Sequence, residues 1–306
     1  MINFLFLNET DMINAGVTDI ASCVDVMEET LVLLAQGDYR MAGQNANSHG
    51  AMITFPADPA FDGMPADGPD RRFMAMPAYL GGRFNNTGVK WYGSNAANRT
   101  RGLPRSIHTF VLNDTDTGAP KAIMSANLLS AYRTGAVPGV GVKHLAVEHA
   151  TTLAVIGPGV MGRTITEACM ALRSGITTIT VKGRSAGGVA AFADWVHARW
   201  PHVTVTAAPT VQQAVDGAHI VIAATTTDAA GSSAFPYFRQ DWLTPGALLL
   251  LPAAARFDDR FLTGDARLVV DYMGLYDAWA EEYGDRAYQL LGIPGTHWHD
   301  LMRAGK

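Results

Sequence analysis

The sequence predicts an α/β protein in which a doubly wound parallel sheet is preceded by an N-terminal α+β domain. From residue 151 onward, strand-like apolar runs alternate with helical runs, which is the pattern of βαβ units. Before residue 125, one helical run is followed by several strand-like runs in quick succession. Because the sheet pattern ends before the last helix, we expect that helix to return to the first domain. The predicted domains are therefore residues 1–125 with 276–306, and residues 126–275.

The N-terminal part begins with a short strand and a helix. Apolar residues recur at helical spacing between residues 19 and 35, with Asp19 as N-cap and Gly37 as the stop. A strand is predicted over residues 51–55. The long loop over residues 56–70 follows it, and loops of that length are often lids or substrate-binding segments. Further strands are predicted over residues 73–79, 88–94, 106–113 and 120–124.

The segment 113–118 lies between the last two of these strands and has an Asp-x-Asp-x-Gly pattern. Such a pattern invites a calcium-loop interpretation. The twelfth position, which needs a Glu, holds Ser125, and the flanking segments are strands rather than helices. We therefore predict a hairpin turn.

The second half opens with a helix over residues 128–145, interrupted by Pro138 and several glycines. Two longer helices are predicted over residues 160–174 and 188–200, a short one before residue 219, and a final one over 277–291, ahead of a polar tail. Between them we predict strands over residues 152–156, 177–182, 203–207, 219–225, 247–251 and 267–271.

Composition excludes several classes of function. The chain has 306 residues, a formal net charge of -5 and no basic run longer than Arg71-Arg72, which argues against nucleic acid or an anionic membrane surface as the main partner. Cys23 and Cys169 are too far apart in sequence for a metal-binding or disulfide pattern, which fits a reducing compartment. The N-terminus resembles a strand rather than a signal peptide, and we expect a soluble cytoplasmic protein.

The strongest motif is a Gly-x-Gly-x-x-Gly turn at residues 157–162, between a predicted strand and a predicted helix. In this context Gly157 makes the tight turn, Gly159 lets the backbone approach a pyrophosphate, and Gly162 lets helix and strand pack closely. Backbone N–H groups at Val160 and Met161 would face the phosphates at the positive end of the helix dipole. The sequence therefore predicts a dinucleotide-binding Rossmann domain.

The end of the next strand indicates which dinucleotide binds. Sites that prefer NAD usually carry an acidic residue there, which bonds the ribose 2′-hydroxyl, whereas this chain has Gly183, Arg184 and Ser185. A guanidinium and a hydroxyl can bind a 2′-phosphate that an acid would repel. We predict NADP(H) as cofactor, with NAD(H) less favoured. Three residues at the end of a later strand are placed to contact the nicotinamide ribose: Thr225, Thr226 and Thr227.

Five blocks in the same order resemble the ornithine cyclodeaminase/μ-crystallin family. They are Gly-Val-Lys-Trp at 88–91, Gly-Leu-Pro-Arg at 102–105, Leu-Asn-Asp at 112–114, Thr-Gly-Ala-Pro at 117–120 and Ser-Ala-Tyr-Arg-Thr at 130–134. The glycine turn follows at the family's spacing, and the resemblance extends from about residue 73 to 275. The first two blocks look closest to the branch that includes enzymes of siderophore diaminopropionate synthesis.

The resemblance implies a nicotinamide-dependent activity on amino acids or their imines, a dimerising N-terminal domain and an active site between the domains. By position, Lys90 matches the family's substrate lysine, which would bind a carboxylate or assist proton transfer at the imine. Arg133 matches an arginine that would hold the substrate carboxylate or a cofactor phosphate. Asp228 lies where cyclodeaminases place a catalytic acid. Lys90 stands among Val89, Trp91 and Tyr92, a poor setting for a solvated lysine, which also favours a functional role.

The sequence departs from the family pattern in one respect that concerns the substrate. The family usually has a carboxylate-binding arginine upstream, where this chain has Asn-Ser-His at residues 47–49. Either His49 or Arg72 would take over that role, which puts a simple α-amino acid substrate in doubt. The His-Trp-His-Asp run at 297–300 looks metal-binding, but no third ligand cluster is evident, and we predict no metal site.

Three functions remain open at this stage. The first is an NADP(H)-dependent oxidoreductase that transfers hydride at the α-carbon of an amino acid, N-substituted amino acid or ketimine, and that forms a homodimer. The second is a cyclodeaminase-type lyase that uses tightly bound nicotinamide without net redox. The third is a non-catalytic NADPH-binding protein like a crystallin. The expected partner is a small amino acid, keto acid or imine.

Overall fold

The computed structural model describes residues 2–225, 235–258, 260–261, 264 and 266–283, without the side chains of residues 279, 282 and 283. The chain divides into two units. In the described part of the chain, the first unit comprises residues 2–19, 29–130 and 272–283, and the second comprises residues 20–28 and 131–271.

The first unit is built on a seven-stranded sheet with the order β1-β7-β6-β5-β4-β2, in which β3 pairs with β4. Its pairs are antiparallel except for β1 with β7. The strands are β1 (Leu5–Leu7), β2 (Tyr39–Met41), β3 (Ala51–Ile53), β4 (Arg72–Leu80), β5 (Asn86–Ser94), β6 (Ser106–Asp114) and β7 (Pro120–Ser125). This unit contains α1 (Glu9–Asn14), the last described helix (Met273–Tyr283) and a 3-10 helix at Ala96–Arg101, and it takes in part of α2 (Ile20–Gln36) and the first residues of the helix Asn127–Leu145.

The predicted hairpin between β6 and β7 is confirmed. The Asp114 carboxylate accepts hydrogen bonds from the Thr117 amide (3.0 Å) and hydroxyl (2.8 Å), and Gly118 adopts φ +71°. The Thr117 hydroxyl, followed by its amide, lowers the pKa of Asp114 to about 2. This carboxylate is therefore used to close the turn.

The second unit contains a five-stranded, wholly parallel sheet with the order β10-β9-β8-β11-β13, which confirms the predicted doubly wound α/β fold. Its strands are β8 (Thr152–Ile156), β9 (Thr178–Lys182), β10 (Thr204–Ala207), β11 (Ile220–Ala223) and β13 (Leu248–Leu250), beside a separate pair, β12 (Tyr237–Phe238) with β14 (Arg256–Phe257). The helices are α3 (Asn127–Leu145), α4 (Val160–Leu172), α5 (Ala186–Arg199) and α6 (Val211–Val215).

The prediction that Pro138 interrupts the helix at 128–145 is wrong, because α3 is continuous from Asn127 to Leu145 with Pro138 inside it. Tertiary packing overrides the local preference here. A Cβ on Gly135 would lie 2.6 Å from the Thr164 side chain, and one on Gly139 would lie 2.6 Å from Val24. These glycines therefore allow α3 to pack closely within its unit.

Two later predictions also need correction. The strand predicted at 267–271 is absent, since described residues 266–271 have no regular secondary structure. Leu268 instead packs on the small cluster around Phe261, which explains the apolar run. The last described helix, α7 (Met273–Tyr283), begins four residues before its predicted start, and the remainder of the predicted helix lies outside the described residues.

The largest hydrophobic cluster surrounds the parallel sheet and includes Leu153, Val155, Ile179 and Ile222, all almost fully buried. Because β8 pairs in parallel with both β9 and β11, the carboxyl ends of these three strands lie beside one another. Among the helices that the structure describes, none combines the length and apolar character that a membrane crossing requires.

Candidate functional site

The glycine turn connects β8 to α4, as its motif requires. Gly157 has φ +96°, and a Cβ there would lie 2.7 Å from the carbonyl oxygen of Ala224. A Cβ on Gly162 would lie 2.3 Å from the carbonyl oxygen of Gly157, so that only glycine allows α4 to start this close to β8. A Cβ on Gly159 would meet nothing within 4 Å.

Gly159 is also the N-cap of α4, and no side chain caps the helix there. The first N–H groups of a helix have no partner within the helix, and the helix dipole makes this end attractive to anions. Val160 is exposed and Met161 is partly buried in this first turn. The turn thus combines open space, backbone donors and favourable electrostatics, which is what a pyrophosphate needs.

A buried hydroxyl lies beside this turn. Thr225 follows β11, and its Oγ1 is buried with no hydrogen-bond partner in the described part of the chain. Its amide nitrogen is 2.9 Å from the position of a Cβ on Gly157. Because an unsatisfied buried hydroxyl is destabilising, the atom fits a site whose polar partner is a ligand. Thr226, Thr227 and Asp228 lie outside the described residues.

The end of β9 differs in detail from the sequence prediction. Ser185 is the N-cap of α5, and its Oγ accepts a hydrogen bond from the Gly188 amide at 3.2 Å. Arg184 is exposed at the same turn. A Cβ on Gly183 would lie 2.7 Å from Val189 and 3.2 Å from the Pro158 ring. Any side chain at Gly183, an NAD-selecting acid included, would therefore crowd Val189 and Pro158.

The second candidate site is one face of the antiparallel sheet, which we call the Lys90 face. Side chains alternate along a strand, so Lys90, Tyr92 and Ser94 share this face. Strand register places Arg72 opposite Ser94, and His108 opposite Tyr92. Lys90 Nζ lies 5.0 Å, and Arg72 Cζ 6.0 Å, from the centre of the Tyr92 ring. The His108 ring centre is also 5.0 Å from that of Tyr92.

Arg72 belongs to a charged cluster that sequence reasoning missed in part. The Asp70 carboxylate pairs with Arg72 through one oxygen and with Arg105 through the other. The Asp70 carboxylate also accepts a hydrogen bond from Ser94 Oγ at 2.5 Å. Burial acts to lower the pKa of Arg72, but its hydrogen bond with Tyr92 and the charge of Asp70 outweigh burial and raise it. The sequence signal for Arg105 was its place at the end of the Gly-Leu-Pro-Arg block.

The remaining predicted residues lie elsewhere. His49 is partly buried between β2 and β3, next to Gly50, where a Cβ would overlap the carbonyl oxygen of Ala75. Arg133 is exposed in the second turn of α3, within the unit that carries the glycine turn. In the described residues no group of three or more His, Cys, Asp or Glu side chains is placed to hold a metal ion. The His-Trp-His-Asp run at 297–300 lies outside them.

Known proteins resemble this chain over most of its length. N-((2S)-2-amino-2-carboxyethyl)-L-glutamate dehydrogenase of Staphylococcus aureus is 30% identical over 247 residues, which are 80% of this chain and 68% of that protein. The structure of Thermococcus litoralis Δ1-pyrroline-2-carboxylate reductase, in complex with NADH and L-proline, matches with a TM-score of 0.66 and 22% identity. The match covers 80% of this chain and 68% of that one. An archaeal alanine dehydrogenase dimer with bound NAD matches with a TM-score of 0.63 and 22% identity, covering 80% of this chain and 66% of that one.

These relatives are dehydrogenases and reductases of amino acids or imines, and the two solved structures hold a nicotinamide cofactor. The family model matches residues 16–302. The chain therefore belongs to the ornithine cyclodeaminase/mu-crystallin family, as its motifs predict.

Proposed function

We propose that this protein is an NADP(H)-dependent oxidoreductase that acts on the C–N bond of an amino acid, an N-substituted amino acid or a ketimine, with hydride transfer at the α-carbon. The observation that carries the proposal is the open glycine turn together with the buried Thr225 hydroxyl, which has no partner among the described residues. Family membership supports the class of reaction.

The chain's own residues would bind the substrate and handle protons. A bound nicotinamide would supply or accept the hydride. Lys90 would hold the substrate carboxylate or move a proton at the imine nitrogen, and its partial burial beside the Tyr92 ring supports that role. Arg133 would bind the carboxylate or a cofactor phosphate. Asp228, which lies outside the described residues, would be a further acid.

The preference for NADP(H) is supported by the end of β9. A Cβ at Gly183 would lie 2.7 Å from Val189 and 3.2 Å from the Pro158 ring, which disfavours an acidic side chain there, and Arg184 is exposed beside it. An arginine there favours a 2′-phosphate through charge-assisted hydrogen bonds. The two solved relatives hold NADH or NAD, so the preference proposed for this chain would separate it from them.

Titration of the purified protein with both cofactors tests this preference. We expect NADPH to bind at least about tenfold more tightly than NADH, and Arg184→Ala to weaken NADPH binding by about tenfold while NADH binding changes little, since a charged hydrogen bond contributes about 1.5–3 kcal/mol. Arg101→Ala, which removes an exposed arginine of the first unit, is the matched control. NADH binding as tightly as NADPH would refute the preference.

Turnover tests the reaction class. NADPH oxidation at 340 nm is followed with a panel of α-keto acids plus amines and with cyclic ketimines. Lys90→Met is expected to lower kcat by about 100-fold or more, as loss of a general acid–base group does, without changing the Kd of NADPH. Lys121→Met is the control, because Lys121 is another lysine on a strand of the same sheet. Absence of turnover across the panel contradicts the proposal. Ammonia release from ornithine without net absorbance change would favour the lyase instead, and NADPH binding without any activity would favour a binding protein.

We also infer a homodimer formed by the sheet face opposite Lys90. Phe73, Trp91, Ile107 and Ile53 are between 40% and 52% exposed on that face, and the Phe73 and Trp91 rings stack at 5.8 Å. A contiguous exposed apolar surface of this kind indicates an interaction site, and the archaeal relative with bound NAD is a dimer. Light scattering should give the mass of a dimer for the wild type and of a monomer for Trp91→Glu. A monomeric wild type would overturn the inference.

A further inference from the structure

Two arginines share one carboxylate at the far end of the Lys90 face. Arg72 and Arg105 both contact Asp70, each through its Nη1 atom. Two guanidinium cations and one carboxylate together carry a net charge of about +1. A guanidinium has five N–H donors, so the Nη1 contacts with Asp70 use only part of the donor capacity of each arginine. The two arginine side chains are 32% and 36% exposed.

The buried Ser94 hydroxyl links the members of the cluster. Ser94 is 4% exposed, donates to Asp70, and accepts from Arg105 Nη1 at 3.3 Å and from Ser106 Oγ at 3.0 Å. Asp70 itself adopts φ 55°, a left-handed conformation that disfavours most residues. A residue held in such a conformation by several polar partners is typical of a preorganised binding site.

The cluster lies within reach of a ligand bound at Lys90. Lys90 Nζ lies 5.0 Å and Arg72 Cζ 6.0 Å from the Tyr92 ring centre, so the two groups are at most about 11 Å apart. Ion pairs of about 2.8 Å at each end then leave at most roughly 5 Å between the two anionic groups of a bridging ligand. A linear dicarboxylate of up to about five carbons fits within that limit.

We infer that Arg72 and Arg105, with Asp70 as their internal counter-ion, form a second anion-binding subsite that selects substrates with an additional carboxylate beyond the one at the reacting α-carbon. The inference rests on the proposed function and names the substrate class of its site. It also agrees with the departure from the family pattern at residues 47–49, which argues against a simple α-amino acid as the substrate. Asp70 pairs with both guanidiniums and offsets one of their two positive charges.

Binding of glutarate and of glutaramate to the full-length protein tests the inference without any turnover. The two probes have the same length, but the second has an amide in place of one carboxylate. We expect glutarate to bind at least about tenfold more tightly by calorimetry, in the presence of NADPH or without it. Arg105→Gln is expected to bring the two Kd values within about twofold of each other, Arg105→Lys to retain part of the difference, and Arg101→Gln to retain all of it.

Two outcomes would overturn the inference. One is equal affinity of the wild type for both probes, and the other is an undiminished preference for glutarate in a folded Arg105→Gln protein, checked by its urea midpoint. Failure of the proposed reaction would appear separately, as absence of NADPH oxidation with every imine while the preference for glutarate persists.

Discussion

Gly159 and Gly162 belong to the same motif, but the structure assigns them different physical roles that substitution can separate. A Cβ on Gly162 would lie 2.3 Å from a backbone oxygen, whereas one on Gly159 would have nothing within 4 Å. Ordinary carbon–oxygen contacts are about 3.3 Å or longer, so Gly162→Ala forces α4 about 1 Å away from the turn. Gly159→Ala leaves the fold in place, since φ is -78° there and any residue adopts that value.

The expected effects follow from these distances. Overpacking costs about 1–3 kcal/mol, and the upper end applies to Gly162→Ala because the obstructing atom is backbone. At about 2–4 °C per kcal/mol, Tm falls by roughly 6–12 °C. Gly159→Ala should lower Tm by only a few degrees, but its methyl group occupies the space that a phosphate would enter. Loss of one or two charge-assisted hydrogen bonds then weakens NADPH binding by about 10- to 100-fold.

Thermal unfolding without ligand, and fluorescence titration with NADPH, measure the two effects independently. Gly141→Ala, a substitution inside α3, is the control, because its Cβ would lie 3.5 Å from the Leu250 side chain, an ordinary van der Waals distance. Gly141→Ala should leave the Kd of NADPH unchanged and should raise Tm only slightly. The assignment of roles fails if Gly159→Ala binds NADPH as the wild type does, or if Gly162→Ala unfolds at the wild-type temperature.

Three further predictions concern groups outside the proposed sites. The Arg173 guanidinium caps the end of α3 through several backbone carbonyl oxygens, two of them at 2.8 Å, so Arg173→Met should lower the free energy of unfolding in urea by about 2–3 kcal/mol, and Arg173→Lys should recover less than half of that loss. The pKa of Asp114 is lowered to about 2, so its contribution to stability is present above about pH 4 and is lost as pH falls towards 2; Thr117→Val should raise that pKa towards 3.8 in a carboxyl NMR titration. Burial raises the pKa of Cys169 to about 12, so in a Cys23→Ser protein no thiol should react with Ellman's reagent at pH 8 until denaturant is added.

The parts of the fold that sequence predicted well are those fixed by local pattern. The strands of the parallel sheet and the turn at Gly157 follow from apolar runs bounded by glycine, and such signals need no knowledge of the rest of the chain. Pro138 shows where that approach fails. The local effect of Pro138 suggested a broken helix, but close packing at Gly135 and Gly139 keeps α3 continuous. Packing between distant segments cannot be predicted from a local sequence pattern.

The charged cluster on the Lys90 face could not be predicted from the sequence for the same reason. Asp70, Ser94 and Arg105 are separated by 24 and 11 residues in sequence and are brought together by the register of β4 with β5 and of β5 with β6. Sequence identified Arg72 as a candidate for binding the substrate carboxylate, but its pairing with Asp70 and the role of Arg105 depend on that register. A one-residue slip would place these side chains on opposite faces.

The cofactor preference shows how packing can sharpen a sequence argument. The absence of an acid at Gly183 suggested tolerance of a 2′-phosphate, and the structure adds that any side chain there would approach Val189 and Pro158 closely. Gly183→Asp alone should therefore lower stability by about 1–3 kcal/mol and should not create tight NADH binding. Combining it with Val189→Ala removes the closest contact, at 2.7 Å, so the pair should recover most of the lost stability and shift the ratio of Kd values towards NADH by about tenfold or more. If Gly183→Asp alone gave a stable protein that binds NADH tightly, Val189 would not be the obstacle, and the absence of an acid would reflect the cofactor rather than the space available.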